Sequence, residues 1–473
     1  MNGLLFFCKS TELFEKCVYL CPDLCLTLCF ELRGHNKTFI ITMIVNKPFI
    51  KSVVTSLSLL ALPLSLTAQT AREEIHENIL RSASNHMAYV APTTPLTAAP
   101  KGYEPFYISH YGRHGSRWLL GDNDYMGLIK TLRKADKYGK LTDLGKKTLK
   151  DLETFYPCTV KRLGDLTSVG ERQHHGIGKR MTEHFPQVFS GNAQIDARST
   201  VVIRCILSME AECEEIAAFN SKAKIHNDVS EAFQYYLNQD WDGKVKESSR
   251  GRRDIVNKYR SKYTHPDRLM STLFNDKAYI KDSLNAAGFM GSLFYVTTNM
   301  QSHDTDIDLY PLFTEEECYD LWKIWNIDWY LGYGPAPQTK SNMPFSQRNL
   351  LRNIINTADT IVGNRKFNGA TLRFGHEVCV MPLACLLELD SCGRKVEDLD
   401  HLEDYWVNYR IYPMAANIQL VFYRPKKGNG DILVKALLNE KETTMPVKTD
   451  MFPYYKWETL KKYYTEKLDE FER

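Results

Sequence analysis

Three short apolar runs in this chain break off in the same way, and that shared ending constrains the fold more than any other feature. Phe106-Tyr107-Ile108-Ser109 runs into His110-Tyr111-Gly112-Arg113-His114-Gly115-Ser116-Arg117, Ala193 to Ala197 runs into Arg198-Ser199-Thr200, and Ala370 to Phe374 runs into Gly375-His376-Glu377. Each reads as a buried strand that delivers Arg or His at its carboxyl end. In an open α/β sheet the carboxyl ends of neighbouring strands form the ligand crevice. The three endings are therefore expected to gather Arg113, His114, Arg117, Arg198, His376 and Glu377 around one pocket.

Those residue types suit a tetrahedral dianion. Guanidinium forks donate paired hydrogen bonds to phosphate oxygens and stabilise the charge that builds on them during transfer. Of two imidazoles, one can attack phosphorus while the other donates to the transferring group. A carboxylic acid beside them can protonate the departing alkoxide and then activate water. The scheme needs no cofactor and no metal. His110 and His114 stand four apart, but Gly112 and the strand-to-loop setting argue against a helical metal pair. His174-His175 beside Glu171 falls in a helix-like stretch and reads as a solvated face.

Arg113-His114-Gly115-Ser116-Arg117 resembles the R-H-G-x-R signature of the histidine acid phosphatases. The resemblance continues through Gly164-Asp165-Leu166-Thr167 with Gly170, Gln173 and Gly178, through Arg198-Ser199-Thr200 with Arg204 and Ser208, and through Phe374-Gly375-His376-Glu377. Pro413 to Asn417, Gln419 to Tyr423 and Val434 to Asn439 are similar to the closing strands of that family. It implies a three-layer α/β histidine-phosphatase core with an inserted, mainly α-helical cap. It implies His114 as nucleophile, His376 as a catalytic and phosphate-binding partner, Arg113, Arg117 and Arg198 as further phosphate ligands, and Glu377 as proton donor. Arg204 is expected to tie the second strand's helix to the pocket floor or to support Arg198. Most members place Asp directly after the second His, and the inositol polyphosphate branch has H-A-E. His376-Glu377-Val378 combines the acid type of the second with the spacing of the first, and Leu119 stands where the family often has Pro.

Residues 1–68 read as an N-terminal extension and a secretory signal, with the true start at Met43. Lys47 and Lys51 precede an apolar run from Val53 to Leu66, and Ser65-Leu66-Thr67-Ala68 offers the small residues of a cleavage site. The mature protein is thus expected to be exported, to the periplasm or outside the cell, without a stable membrane span. Residues 69–99 read as a lead-in, 100–212 as the first part of the core, 213–364 as the helical cap and 365–473 as the second part of the core, ending in a charged amphipathic helix. Seven cysteines follow residue 68, an odd number that requires no disulfide. The net charge is only +3, and residues 1–68 hold six Lys/Arg and four Asp/Glu, so nothing global argues for nucleic acid.

Within the cap a basic run includes Arg250, Arg252, Arg253 and Arg260, and Arg133 and Lys134 form a second basic patch after the nucleophile loop. Either could grip the outer phosphates of an inositol polyphosphate or stand as a solvated face. The expected activity is hydrolysis of phosphomonoesters of the phytase or inositol polyphosphate type, through a covalent phosphohistidine. A broad-specificity acid phosphatase acting on sugar phosphates or nucleotides is the rival. A non-catalytic protein that holds phosphorylated ligands is a third reading, which the presence of both His residues and an acid disfavours. An export signal and a large cap argue against a glycolytic mutase.

Overall fold

Strand β1 (Tyr103–Arg113) is buried from Pro105 onward, so its side chains are covered on both faces. That is the condition under which a strand reads as a continuous apolar run instead of an alternating one. In the computed structural model, which describes residues 69–473, β1 shares one sheet with β2 (Gln194–Ser199), β3 (Lys224–Val229), β4 (Gly369–Gly375), β5 (Asn417–Pro425), β6 (Leu433–Leu438), β7 (Lys441–Thr443) and β8 (Tyr455–Lys456). The order is β3-β2-β4-β1-β5-β6-β7, with β8 also on β6; the pairs from β3 to β1 are parallel, and those beyond β1 are antiparallel. β4 lies between β1 and β2, so the three sequence endings stand side by side at one edge of the sheet.

The helices of ten residues or more are α1 (Asp122–Lys137), α2 (Asp143–Phe155), α3 (Ser168–His184), α4 (Ile203–Phe219), α5 (Arg252–Tyr263), α6 (Ala286–Asn299), α7 (Glu315–Tyr333), α8 (Arg348–Val362), α9 (Glu377–Leu386) and α10 (Trp457–Glu472). On one face of the sheet Ile177, Met181, Met209 and Ile216 of α3 and α4 pack on Ile108, Ile195, Leu372 and Phe374. On the other, α8, α9 and α10 pack on Tyr107, Leu420 and Phe422. The result is the expected three-layer α/β core. Trp457, Leu460, Tyr464 and Leu468, at helical spacing, give α10 its buried stripe.

The helical part divides differently from the expectation. β3 continues the main sheet and α8 covers it, although both lie inside the stretch 213–364 that reads as cap. Conversely, α1 and α2, expected in the core, join α6 and α7 in a separate apolar cluster through Leu128, Leu132, Leu152, Leu293 and Leu321. An amphipathic stripe records that a helix is buried on one side, and not which layer buries it. The lead-in is likewise more than a lead-in. Thr70 caps the helix Ala71–Glu77 with a capping box, and Ala71 and Ile75 pack against Tyr319, Trp322 and Tyr409. Ser82, Ala83, Ser84 and His86 follow, all fully buried.

The seven cysteines from Cys158 onward are free thiols, six of them buried. No helix among the described residues is long and apolar enough to cross a membrane. The expected leader and Met43 lie outside the described residues.

Candidate active site

Backbone hydrogen bonds bind the three strand endings together. The N–H of His114 donates to Gly375 O (2.9 Å), that of Thr200 to Phe374 O (3.0 Å) and that of Arg113 to Ala416 O (2.8 Å). The nucleophile loop then lies directly on the start of α3, an approach that only glycines allow. A Cβ at Gly115 would stand 2.4 Å from Gly170 O, and one at Gly170 would stand 2.3 Å from Ser116 O. Gly170→Ala is expected to cost about 1–3 kcal/mol, as overpacking does, and to displace the loop. A lower urea midpoint together with lower turnover would show both. Gln173 and Ser208 complete the support: Gln173 Oε1 accepts from Ser116 N (2.9 Å) and Ser208 Oγ from Gly115 N (3.1 Å).

His114 is fully buried, and its Nδ1 lies 2.8 Å from Gly115 O. A carbonyl only accepts, so Nδ1 carries the proton and Nε2 keeps its lone pair. Burial holds the imidazole well below its ordinary pKa, against the opposing pull of Glu377. His114 is therefore a neutral imidazole across the physiological range, with the lone pair of Nε2 unprotonated. Its Nε2 lies 3.3 Å from Glu377 Oε2, which also lies 3.2 Å from Arg113 Nε. Burial alone would raise the Glu377 carboxyl, but the guanidinium groups of Arg113 and Arg117 hold it well below the usual carboxylate range. Glu377 thus sits as an anion held by Arg113 in front of His114 Nε2.

Arg113 is anchored from behind, through Nη1 to the carbonyls of Asn85 (2.7 Å) and Tyr412 (2.9 Å). Asn85 belongs to the N-terminal segment, which sequence reasoning had assigned no part in the site. Burial pushes the Arg113 guanidinium down to about 10. Arg117 is also buried; its Nη1 donates to Trp118 O (2.9 Å), and the Tyr295 phenol stands against it. His376 packs edge-on to His114 with 5.6 Å between ring centroids, its Nε2 3.3 Å from Thr200 Oγ1. Burial lowers His376 to about 4.

The third arginine of the site is Arg204, not Arg198. Arg204 Nη2 lies 3.5 Å from His376 Nδ1, Nη1 donates to Gly164 O (3.2 Å), and its charge bears on His114, Arg113 and Glu377. Arg198 points to the opposite face of the sheet, bound to Asp196 (3.0 Å) and stacked on Phe233 (4.0 Å). Strand alternation is the reason: Ile195 and Ala197 face α3 and α4, so Arg198 cannot. Six residues later the first turn of α4 brings Arg204 back to the pocket. The spacing of the buried positions in β2 was the signal for it.

The candidate substrate contacts are scattered. Arg133 pairs with Glu153 on the surface, and Arg250 and Arg253 are exposed with no ion pair among the described residues. Arg252 is held by Asp328 (2.7 Å) beside the ring of Tyr333, whose hydroxyl feels the Glu377 charge. Tyr295 also lines a cleft of about 590 Å³ together with Arg260 and Trp325. A neighbouring cleft of about 420 Å³ shares Asn123 and Ser292 with it and contains Lys134.

His174 is not solvated. It is fully buried with Nδ1 2.8 Å from Glu212, whose other oxygen is 3.9 Å from His110 Nε2, so the two carboxylate oxygens bridge two core histidines. His114, His376 and Glu377 do place potential ligand atoms within 4.8 Å of one another. Three guanidinium groups converge on the same space, however, and their charge favours an anion there over a cation.

The sequence pattern of the histidine phosphatase superfamily (branch 2) matches residues 113–439. No curated protein matches the chain. Among solved structures, the multiple inositol polyphosphate phosphatase of Bifidobacterium longum, in complex with inositol hexasulfate, is 19% identical with a TM-score of 0.66 over 80% of this chain and 97% of that one. The phytase from D. castellii is 15% identical with a TM-score of 0.63 over 83% of this chain and 86% of that one. At these identities the likeness is one of fold.

Proposed function

Because the chain belongs to the histidine phosphatase superfamily, branch 2, we propose that it hydrolyses phosphomonoesters through a phosphohistidine at His114, with inositol polyphosphates as substrates. The observation that carries this reading is the state of His114: Nδ1 is occupied by Gly115 O, and Nε2 faces a space surrounded by arginines. In the proposed sequence Nε2 attacks phosphorus and the P–O ester bond breaks. Glu377, which takes up a proton once the bound dianion has displaced it from Arg113, gives that proton to the leaving alkoxide. Water then gives a proton to the Glu377 carboxylate as its oxygen attacks phosphorus and the P–N bond breaks, which releases inorganic phosphate and neutral His114. Arg113, Arg117 and Arg204 take the equatorial oxygens, and His376 donates to one of them.

A polyphosphorylated ring as substrate is supported by two cations, Arg252 beside Tyr333 and Arg260 in the cleft that Tyr295 lines. The solved relative bound to inositol hexasulfate supports the same class. A broad-specificity phosphatase is the second reading, favoured by the positions of Arg133, Arg250 and Arg253 away from the site. Phosphate release from inositol hexakisphosphate and from glycerol phosphate, measured side by side, separates the two. Protein-bound phosphate trapped by denaturation during turnover, and missing when His114 is replaced, tests the intermediate. Absence of release from either ester would overturn the enzyme reading.

A further inference from the structure

On the face of the sheet turned away from α3 and α4, two arginines stand side by side. Arg198 on β2 and Arg373 on β4 are register partners, as are Asp196 and Thr371. Like charges on adjacent strands repel unless each is compensated. Arg198 is compensated, by Asp196 at 3.0 Å and Asp228 at 3.9 Å. Arg373 has no partner of its own: it is 1% exposed and forms no ion pair among the described residues, and Asp196, the carboxylate whose charge bears on it, is bound to Arg198. Its acceptors are neutral, namely Asn353 Oδ1 (2.9 Å), Ser109 Oγ (3.0 Å) and Thr357 Oγ1 (3.4 Å). A guanidinium has five N–H groups, so two are left over. A buried cation without a counter-charge is strongly disfavoured unless something supplies one.

A cleft of about 370 Å³ opens beside it, lined by both arginines, Asn353, Thr357, Thr371 and Tyr236, and by Asp196, whose carboxylate is bound to Arg198 at 3.0 Å. Thr371 Oγ1 accepts from Tyr107 (3.0 Å) and so keeps its own proton to donate, as the Asn353 amide does while its oxygen holds Arg373. A buried cation without an ion pair of its own and several hydroxyl and amide donors around a small space suit four oxygens better than a planar carboxylate. We propose that this cleft is a second anion site, separate from the catalytic pocket, which takes a small tetrahedral oxyanion such as inorganic phosphate or sulfate with Arg373 as its charge partner. The inference does not depend on the reaction at His114.

The test is the number of phosphate ions bound by the whole protein in calorimetric titration with inorganic phosphate, repeated with sulfate. Thr357 is only half-buried on α8, and Thr357→Glu would place a carboxylate beside the Arg373 guanidinium. The parent is expected to bind two equivalents of either anion, one of them in the catalytic pocket, and T357E only one. T357E should also have, without phosphate, a thermal midpoint near that of the parent with phosphate. Arg373→Gln should bind one equivalent too, and T357E decides the matter if that variant does not fold. A single equivalent in the parent, or two retained in T357E, would overturn the proposal. Binding of phosphate but not sulfate at the second site would overturn the class assigned to it.

Discussion

Arg204→Ala is expected to lower kcat/KM by ~10²–10³-fold, the usual loss when one donor to developing charge is removed. Arg198→Ala, which loses a part-exposed ion pair, should stay within about fivefold of the parent. The difference follows from the pocket: Arg204 reaches His376 Nδ1 at 3.5 Å and acts on His114, whereas Arg198 is committed to Asp196 on the other face. Because the charge on the equatorial oxygens grows during transfer, the Arg204 loss should fall mainly on kcat and should be matched by weaker binding of vanadate, which copies the five-coordinate phosphorus. A purely structural role would lower the urea midpoint and leave vanadate affinity unchanged among the folded molecules. Equal losses for the two variants would return Arg198 to the phosphate site.

That pair also marks where sequence reasoning reached its limit. Two of the three strand endings were legible because a strand buried on both faces is a continuous apolar run, as β1 and β4 are, whereas β2 alternates in burial. His114, Arg113, Arg117, His376 and Glu377 come straight off those endings or the loops after them. Arg204 does not, since it returns through a helical turn whose direction is set by the packing of Met209 and Ile216 on the sheet. Asn85 and Tyr412 were out of reach for another reason: they hold Arg113 through backbone carbonyls, and a carbonyl is present at every residue. The assignment of helices to core or cap failed in the same way, because α1, α2 and α8 carry apolar stripes of similar kind and differ only in what covers them.

Glu377→Gln is expected to change binding and turnover in opposite directions. In the free protein the carboxylate lies 3.2 Å from Arg113 Nε and 3.3 Å from His114 Nε2, so an incoming phosphate must displace it. The amide carries no charge to displace, and E377Q should therefore bind inorganic phosphate at neutral pH about tenfold more tightly, or about 1.4 kcal/mol. Turnover should fall by ~10²–10⁴-fold on alkyl phosphates, the worth of a positioned acid. It should fall far less on p-nitrophenyl phosphate, whose phenolate leaves without a proton. The pH dependence has a definite sign. Arg113 and Arg117 keep the free carboxyl ionised into the acid range, and a bound dianion that takes over Arg113 removes that support and adds negative charge beside it. The carboxyl's pKa is thus higher with substrate bound than without. For alkyl phosphates, kcat should decline as pH rises through that higher value, when the acid loses its proton, and E377Q should lack this limb. Equal losses on both esters would remove Glu377 from proton transfer. An unchanged phosphate affinity would mean that the carboxylate does not compete for the anion position.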